Sequence, residues 1–595
     1  MNITIAGYNL IELLYESTNT YVYRALRESD QTSVIIKTFK SEYPSIEQVS
    51  RFQHEYKILQ NLEIEGIVKP LSLDSYQSGL ALILSGFEGE TLKNFLTKNN
   101  LQLNIFLHIA IQLASTLAQL HQANIIHKDI KPHNILINSK TGKVKIINFG
   151  ISSCLSQENV NSSNSNLLEG TLAYMSPEQT GRMNRSIDYR SDFYSLGVTF
   201  YEMLTSQLPF QNTDFLELVH CHIAKTPISP KEINSEIPLG VSDIVMKLLA
   251  KTAEDRYQNA LGLKADLEEC LRQLQATGKI ENFIVGQLDL YSQFVIPQKL
   301  YGREKEADVL INAFERVSHG TSEIMLVSGY SGIGKSCLVN EIHKPIIRQR
   351  GYFISGKFDQ FKRNIPYASL IQAFEELIRQ LLTESSEKIV VWRAKILEAL
   401  GSNAQIIIDV IPEVEQIIGT QPDVLQLGSI ESQNRFNRLF QKFIHVFCKP
   451  EHPLVLFLDD LQWVDLASLK LIHLLATNPD SQYLLLIGTY RDNEVNATHP
   501  LILVLEEIQK YGTVVNNIVL QPLRITDVKQ LVSDTLHTNL EKSESLVDLV
   551  YNKTQGNPFY LTQLLKSLYQ ENLLSFSFSE GCWQWDIHHL QNIDI

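Results

Sequence analysis

Residues 127–134 read His127-Lys128-Asp129-Ile130-Lys131-Pro132-His133-Asn134, and fourteen positions beyond Asn134 stands Asn148-Phe149-Gly150. A carboxylate, an ammonium two residues on and an amide five residues on make a set suited to phosphoryl transfer. That chemistry needs a base-like group at the attacking hydroxyl, cations on the phosphates and metal ligands held in register. Asp129 fits the first role, Lys131 reaches the transferred phosphate, and Asn134 offers an oxygen to Mg²⁺. Upstream, the strand-like run Val34-Ile35-Ile36-Lys37 alternates Lys37 inward, where it would hold phosphates. Glu55 shares a helical face with Phe52 and Leu59 and so is placed to pair with Lys37.

Around this centre, residues from about 8 to 270 begin β-rich and become helical. Val34–Phe39, 68–73 and 80–84 read as strands; Ser45–Leu62 and Leu103–His121 read as helices. The Asn- and Ser-rich tract 157–166 reads as a loop, with Ser162, Ser163 and Ser165 as solvated hydroxyls. After a connector, a new pattern opens near Leu300-Tyr301-Gly302-Arg303-Glu304. Buried-strand runs at 324–328, 454–458 and 483–489 alternate there with helices, which predicts a mostly parallel sheet. Residues 573–586, with Trp583 and Trp585, read as a hairpin opening a further domain, so the chain reads as the front of a longer protein.

The second half carries its own phosphate-binding signal. Gly329-Tyr330-Ser331-Gly332-Ile333-Gly334-Lys335-Ser336 is a full GxxxxGK[ST] match, preceded by an apolar strand and followed by a helical run, 336–348. Backbone amides around Gly329, Gly332 and Gly334 would cradle phosphates, Lys335 would reach the β/γ-phosphates, and Ser336 would ligate Mg²⁺. Leu454-Val455-Leu456-Phe457-Leu458-Asp459-Asp460 is a buried strand ending in two carboxylates; Asp459 is assigned to the metal and Asp460 to water. Arg491 follows the third strand and is placed to sense the γ-phosphate, while Gly556-Asn557-Pro558 opens a helix on the lid side. Trp463, beside Asp460, reads as packing and His127 as a core prop, and His121, His127, His133 and the pair His588-His589 are not spaced as a metal site.

The first half resembles a serine/threonine protein kinase. Gly170-Thr171-Leu172-Ala173-Tyr174-Met175-Ser176-Pro177-Glu178 looks like the end of an activation segment, which would put Thr171 beside Asp129. Ser191-Asp192-Phe193-Tyr194-Ser195-Leu196-Gly197 looks like the helix whose aspartate braces the catalytic loop, and Arg256 would partner Glu178. The resemblance implies a bilobal α+β fold, with Asp129, Lys131 and Asn134 catalytic, and Leu14, Val22, Lys37 and Glu55 binding ATP. Asn134 and Asn148 would hold Mg²⁺. Three departures stand out. Tyr15, Ser17 and Thr20 replace the glycines of the phosphate-covering loop, Lys128 replaces an arginine, and Asn148 replaces the metal-binding aspartate. An amide oxygen still coordinates Mg²⁺ but brings no charge, which leaves open a pseudokinase scaffold with only the second site nucleotide-active.

The second half resembles signal-transduction ATPases of the STAND/AAA type, an α/β P-loop fold with a helical lid, which switch on ATP rather than turning it over rapidly. Kinase and ATPase in this order, with 170–185, 300–304 and 351–367, resemble the front of large bacterial signalling proteins that continue into GAF and histidine-kinase domains. The domain expectation is a kinase-like domain at 8–272, a linker at 273–297, the ATPase at 298–522, a lid at 523–572 and an incomplete domain from 573. The resemblance implies protein substrates modified on serine or threonine, oligomerisation through the ATPase module, and partners such as GAF or histidine-kinase modules.

Bulk properties agree with a multidomain chain. At 595 residues it exceeds a single core, and 44% hydrophobic with 20% charged residues is ordinary for globular protein. A formal charge of −14 leaves no basic footprint for nucleic acid. No apolar run approaches the ~20 residues of a membrane span, and Met1-Asn2-Ile3-Thr4 opens no signal peptide. The six cysteines have no CxxC spacing, so reduced thiols and a cytoplasmic location are expected.

Overall fold

The computed structural model describes all residues except 1–4, 17–18, 77–78, 100, 155–170, 182–184, 213, 290–293, 298, 350, 363–364, 383, 385, 426–427, 578–581, 588–589 and 591–595. The tract 157–166, Ser17 and the pair at 588–589 therefore lie outside the described residues. The chain divides into two compact units, residues 1–211 with 221–293, and residues 294–595 with 212–220. Each is described by itself.

The first unit opens with a five-stranded antiparallel sheet ordered Tyr8–Glu16, Thr20–Arg27, Ser33–Phe39, Gly79–Ser85, Pro70–Tyr76. Helix Ile46–Leu59 packs beside it. Its start is fixed by Ser45, whose hydroxyl accepts from the Gln48 backbone while the Gln48 side chain returns to the Ser45 amide. Phe52, Glu55 and Leu59 recur at helical spacing and are buried, which turns Glu55 inward. The rest of the unit is helical, built on Leu103–Gln122, Arg190–Thr205 and Ala260–Thr277.

Helix Leu103–Gln122 corrects one expectation. With a mean hydropathy of 1.4 it is long and apolar enough, by length and composition, to cross a membrane. The run escapes a reading of the sequence because Gln112, Gln119 and two histidines interrupt it. In the structure Leu107, Ala110, Leu113, Leu117 and Leu120 are fully buried, and the helix lies against Ala260–Thr277.

The second unit is built on a five-stranded sheet ordered Tyr352–Lys357, Leu454–Asp459, Leu484–Tyr490, Ser322–Ser328, Val514–Val519, with every pair parallel. Alternation splits each strand between two cores. Leu326, Leu454, Leu456 and Leu486 enter one core, and Val327, Val455, Phe457 and Ile487 enter the other. Both faces are covered, which is why the runs 324–327, 454–458 and 484–487 are apolar without interruption. Helix Ala368–Leu381 covers the first face and Glu304–Ser318 the second. A third core gathers helices Ile525–Leu536, Glu544–Thr554 and Pro558–Gln570 with the hairpin Leu574–Ser577/Cys582–Trp585.

The single helix expected over 336–348 is instead two, Lys335–Asn340 and His343–Arg348. Pro345 has no N–H to offer the Glu341 carbonyl, and its ring crowds that carbonyl, so the helix breaks there.

Candidate functional site

In the first unit a cleft of about 680 Å³ lies between the sheet and the helical part. Leu14, Val22, Lys37, Glu55, Asp129, Lys131, Asn134 and Asn148 all line it, as does Thr171. The polar side chains form one connected set. Lys37 Nζ donates to Glu55 Oε2 at 2.7 Å and to Asn148 Oδ1 at 2.8 Å. The second Glu55 oxygen accepts from the Phe149 amide at 3.1 Å, locking helix Ile46–Leu59 to Asn148-Phe149-Gly150. Asn148 Nδ2 donates to Asn134 Oδ1 at 3.3 Å, and Asn134 Nδ2 donates to Asp129 Oδ2 at 2.7 Å. Lys131 Nζ meets Asp129 Oδ2 at 2.7 Å and also donates to the Thr171 hydroxyl.

The loop carrying Asp129 is braced from beneath. Asp192, fully buried, accepts from the His127 and Lys128 amides at 2.9 and 2.8 Å and from His121 Nε2 at 2.9 Å. Burial pushes the Asp192 carboxyl up, but His121 and the backbone donors outweigh it and hold it below its ordinary value. These bonds keep Lys128 at φ 69°, a left-handed conformation that a lysine rarely adopts. Asn148 is also left-handed, at φ 73°, where Asn and Asp are the tolerated side chains. His127 is a core prop: its Nδ1 accepts from the Asp129 amide, its Nε2 meets the Ile147 carbonyl, and its ring packs edge-on against Phe149.

In the second unit the residues of the phosphate-loop motif meet at the C-terminal edge of the parallel sheet, where ligands of such sheets bind. Gly332 (φ 75°) and Gly334 (φ 97°) are left-handed. A Cβ on Gly332 would come within 2.7 Å of Phe559 Cβ, so only glycine lets the loop pass helix Pro558–Gln570. Lys335 Nζ donates to the Gly329 and Tyr330 carbonyls at 2.8 and 3.0 Å. Burial pulls its pKa down, opposed by Asp460 and Asp459. Ser336 Oγ faces Asp459 Oδ2 at 3.4 Å. Asp460, left-handed at φ 60°, accepts from Gln462 at 2.8 Å and lies 3.8 Å from Arg491 Nε. The Arg491 guanidinium sits 5.0 Å over the Trp463 ring, and Trp463 packs on the core beneath.

Comparison with known proteins assigns both halves. Residues 8–267 match the protein kinase domain family, and residues 299–487 match the AAA ATPase domain family. The chain is a protein kinase domain followed by an AAA ATPase domain. Among relatives, it is 33% identical to a hybrid signal transduction histidine kinase of Dictyostelium discoideum over 83% of this chain and 18% of that protein. It is 33% identical to a probable serine/threonine-protein kinase of Clostridium perfringens over 44% of this chain and 38% of that protein. It is 32% identical to a serine/threonine-protein kinase of Bacillus subtilis over 44% of this chain and 40% of that protein. The chain thus spans well under half the length of each.

The donor sets of the two domains suit Mg²⁺ unequally. In the ATPase domain a hydroxyl, Ser336, and a carboxylate, Asp459, converge, as a hard cation bound beside phosphates requires. In the kinase domain Asn134 and Asn148 offer two amide oxygens and no charge.

Three groups of the ATPase site escape the sequence motifs. Thr489 Oγ1 donates to Asp459 Oδ1 and accepts from the Asp460 amide, and Gln462 orients Asp460. Lys357 lies 3.4 Å from Asp460 Oδ2. Their one available signal is position, since Lys357 and Thr489 end or nearly end strands flanking the acidic one. Asn557 ties the lid to the loop. It caps helix Pro558–Gln570 by accepting from the Phe559 amide and donates to the Ser331 carbonyl at 3.0 Å. Asn557→Ala is expected to destabilise the ATPase domain by about 1 kcal/mol through the lost cap, and to weaken ATP binding there. Urea unfolding and nucleotide titration check the two effects separately.

Proposed function

We propose that the chain is an ATP-dependent protein serine/threonine kinase coupled to a STAND-type ATP-binding switch. The observation that carries this reading is the unbroken hydrogen-bonded set from Glu55 through Lys37, Asn148 and Asn134 to Asp129 and Lys131, all in one cleft. Asp129 orients and accepts the proton of the substrate hydroxyl, and Lys131 meets the transferred phosphate. Lys37, held by Glu55, binds the remaining phosphates beneath Leu14 and Val22. Mg²⁺, held by Asn134 and Asn148 here and by Ser336 and Asp459 in the ATPase domain, would neutralise phosphate charge when bound. In the ATPase domain Lys335 reaches the β/γ-phosphates, Arg491 senses the γ-phosphate and Asp460 polarises water. The finer boundaries proposed are 8–272 for the kinase domain, 273–297 for the linker, 298–522 for the ATPase and 523–572 for its lid. Protein substrates, downstream GAF or histidine-kinase modules, oligomerisation through the ATPase and a cytoplasmic location complete the proposal; the length shared with a hybrid histidine kinase supports the signalling role.

The experiment is a double dissociation on the full chain. Asp129→Ala is expected to remove label transfer to serine and threonine while sparing ATP hydrolysis at the phosphate loop. Lys335→Ala is expected to remove the hydrolysis. One observation favours a second reading: the uncharged metal set at Asn134 and Asn148 suits a pseudokinase scaffold in which only the ATPase binds Mg·ATP productively.

A further inference from the structure

The acidic pair ending strand Leu454–Asp459 faces a cation that belongs to neither phosphate-binding motif. Lys357 closes the neighbouring strand Tyr352–Lys357, and the parallel register sets it opposite Asp459. Its Nζ lies 3.4 Å from Asp460 Oδ2 and 3.8 Å from Asp459 Oδ2, although its side chain is 64% exposed. Two adjacent carboxylates repel unless a positive charge lies between them. The other cations facing the pair have partners of their own. Lys335 bonds the Gly329 and Tyr330 carbonyls, and Arg491 lies 3.8 Å from Asp460 Oδ1 while bonding Glu494 at 2.8 Å. Among the described residues, Lys357 is the one cation at ion-pair distance from Asp459, through the same Oδ2 that Ser336 Oγ faces, while Thr489 holds Oδ1.

We propose that Lys357 is a tethered counter-ion that competes with a divalent cation for Asp459 and so sets the Mg²⁺ concentration at which the ATPase domain takes up Mg·ATP. The inference rests on reading the phosphate loop as an Mg·ATP site. An ammonium on a flexible four-carbon stem leaves a carboxylate easily when a divalent ion arrives. Once displaced, it stays at the sheet edge that carries the phosphate loop, where it remains a cation for nucleotide phosphates. The two roles have opposite signs. Removing the competitor tightens divalent-ion binding, and removing a phosphate-facing cation weakens binding of metal-free nucleotide.

The test uses the full chain carrying Lys37→Met, which strips the kinase cleft of its phosphate-holding cation, and a fluorescent ATP analogue titrated with MgCl₂. Lys357→Met keeps the apolar stem and is expected to lower the half-saturating Mg²⁺ concentration roughly fivefold, the upper range for a partly exposed pair. In EDTA the same variant is expected to bind the analogue more weakly by a similar factor, and Lys357→Arg is expected to stay near the native values. Unchanged half-saturation in Lys357→Met overturns the inference. Shifts of both quantities in the same direction also overturn it, since they indicate a merely structural residue. If the Lys37→Met chain shows no Mg²⁺-dependent binding that Lys335→Ala abolishes, the Mg·ATP reading falls and takes the inference with it.

Discussion

Asn148→Asp is expected to raise the rate of phosphate transfer roughly 10²-fold at fixed Mg²⁺, equivalent to about 2.7 kcal/mol. Asn148 already stands in the right place: its Oδ1 accepts from Lys37 at 2.8 Å and its amide nitrogen reaches Asn134. What it lacks is charge. Attraction between unit charges about 4 Å apart is roughly 4 kcal/mol at an effective dielectric of 20, and a divalent ion doubles it. Bulk water and the competing pull of Lys37 on the new carboxylate take back part of that gain. The left-handed backbone at φ 73° accepts aspartate as readily as asparagine, so the substitution carries no conformational penalty. Steady-state transfer across an Mg²⁺ series checks this, with a lower Mg²⁺ requirement accompanying the faster rate. An unchanged rate would mean that neutral oxygens already serve the site.

Arg256→Ala is expected to unfold the kinase domain under conditions where the ATPase domain stays folded. Arg256 and Glu178 form a two-point pair, Nη1 to Oε1 at 2.6 Å and Nη2 to Oε2 at 2.9 Å, with side-chain exposures of 0% and 3%. The guanidinium also donates to the carbonyls of Ala250, Lys251 and Arg190, so it ties three segments together. Removing one partner of a buried pair costs about 3–5 kcal/mol because the other charge is left unpaired. That is a large share of the roughly 5–15 kcal/mol that holds a domain folded. The pH dependence has a definite sign. Burial alone would push the Glu178 carboxyl up, but Arg256 and Ser191 bring it from its ordinary 4.5 down to about 2. Its contribution is therefore complete above pH 4.5 and is lost as pH falls towards 2. Urea midpoints measured through this window should fall steeply in the native chain, with the contribution from this group absent in Glu178→Gln.

How much of this was legible in the sequence follows from what is local and what is tertiary. Asp129, Lys131 and Asn134 are close in sequence, and their spacing alone brings them to one loop. Glu55 was legible because Phe52 and Leu59 share its helical face. Three of the five parallel strands, at 324–328, 454–458 and 484–490, were legible as apolar runs because both their faces are covered, whereas Tyr352–Lys357 and Val514–Val519, interrupted by Ser355 and by Asn516 and Asn517, were not. Lys357, Thr489 and Gln462 were not legible, because their place at the ATPase site depends on strand order and register, which no single segment encodes. The break at Glu341 was written in Pro345 but masked by the apolar periodicity on either side. Likewise the apolar character of Leu103–Gln122 is diluted by polar residues, although its buried face is continuous.

The most direct test of the account is transfer of labelled γ-phosphate by the full native chain in Mg²⁺, onto itself and a generic basic protein, beside Asp129→Ala. Label on serine or threonine with the native chain, and none with Asp129→Ala, is the expected result. No transfer by the native chain, with transfer gained by Asn148→Asp, would contradict it and leave the kinase domain a scaffold beside a working ATPase.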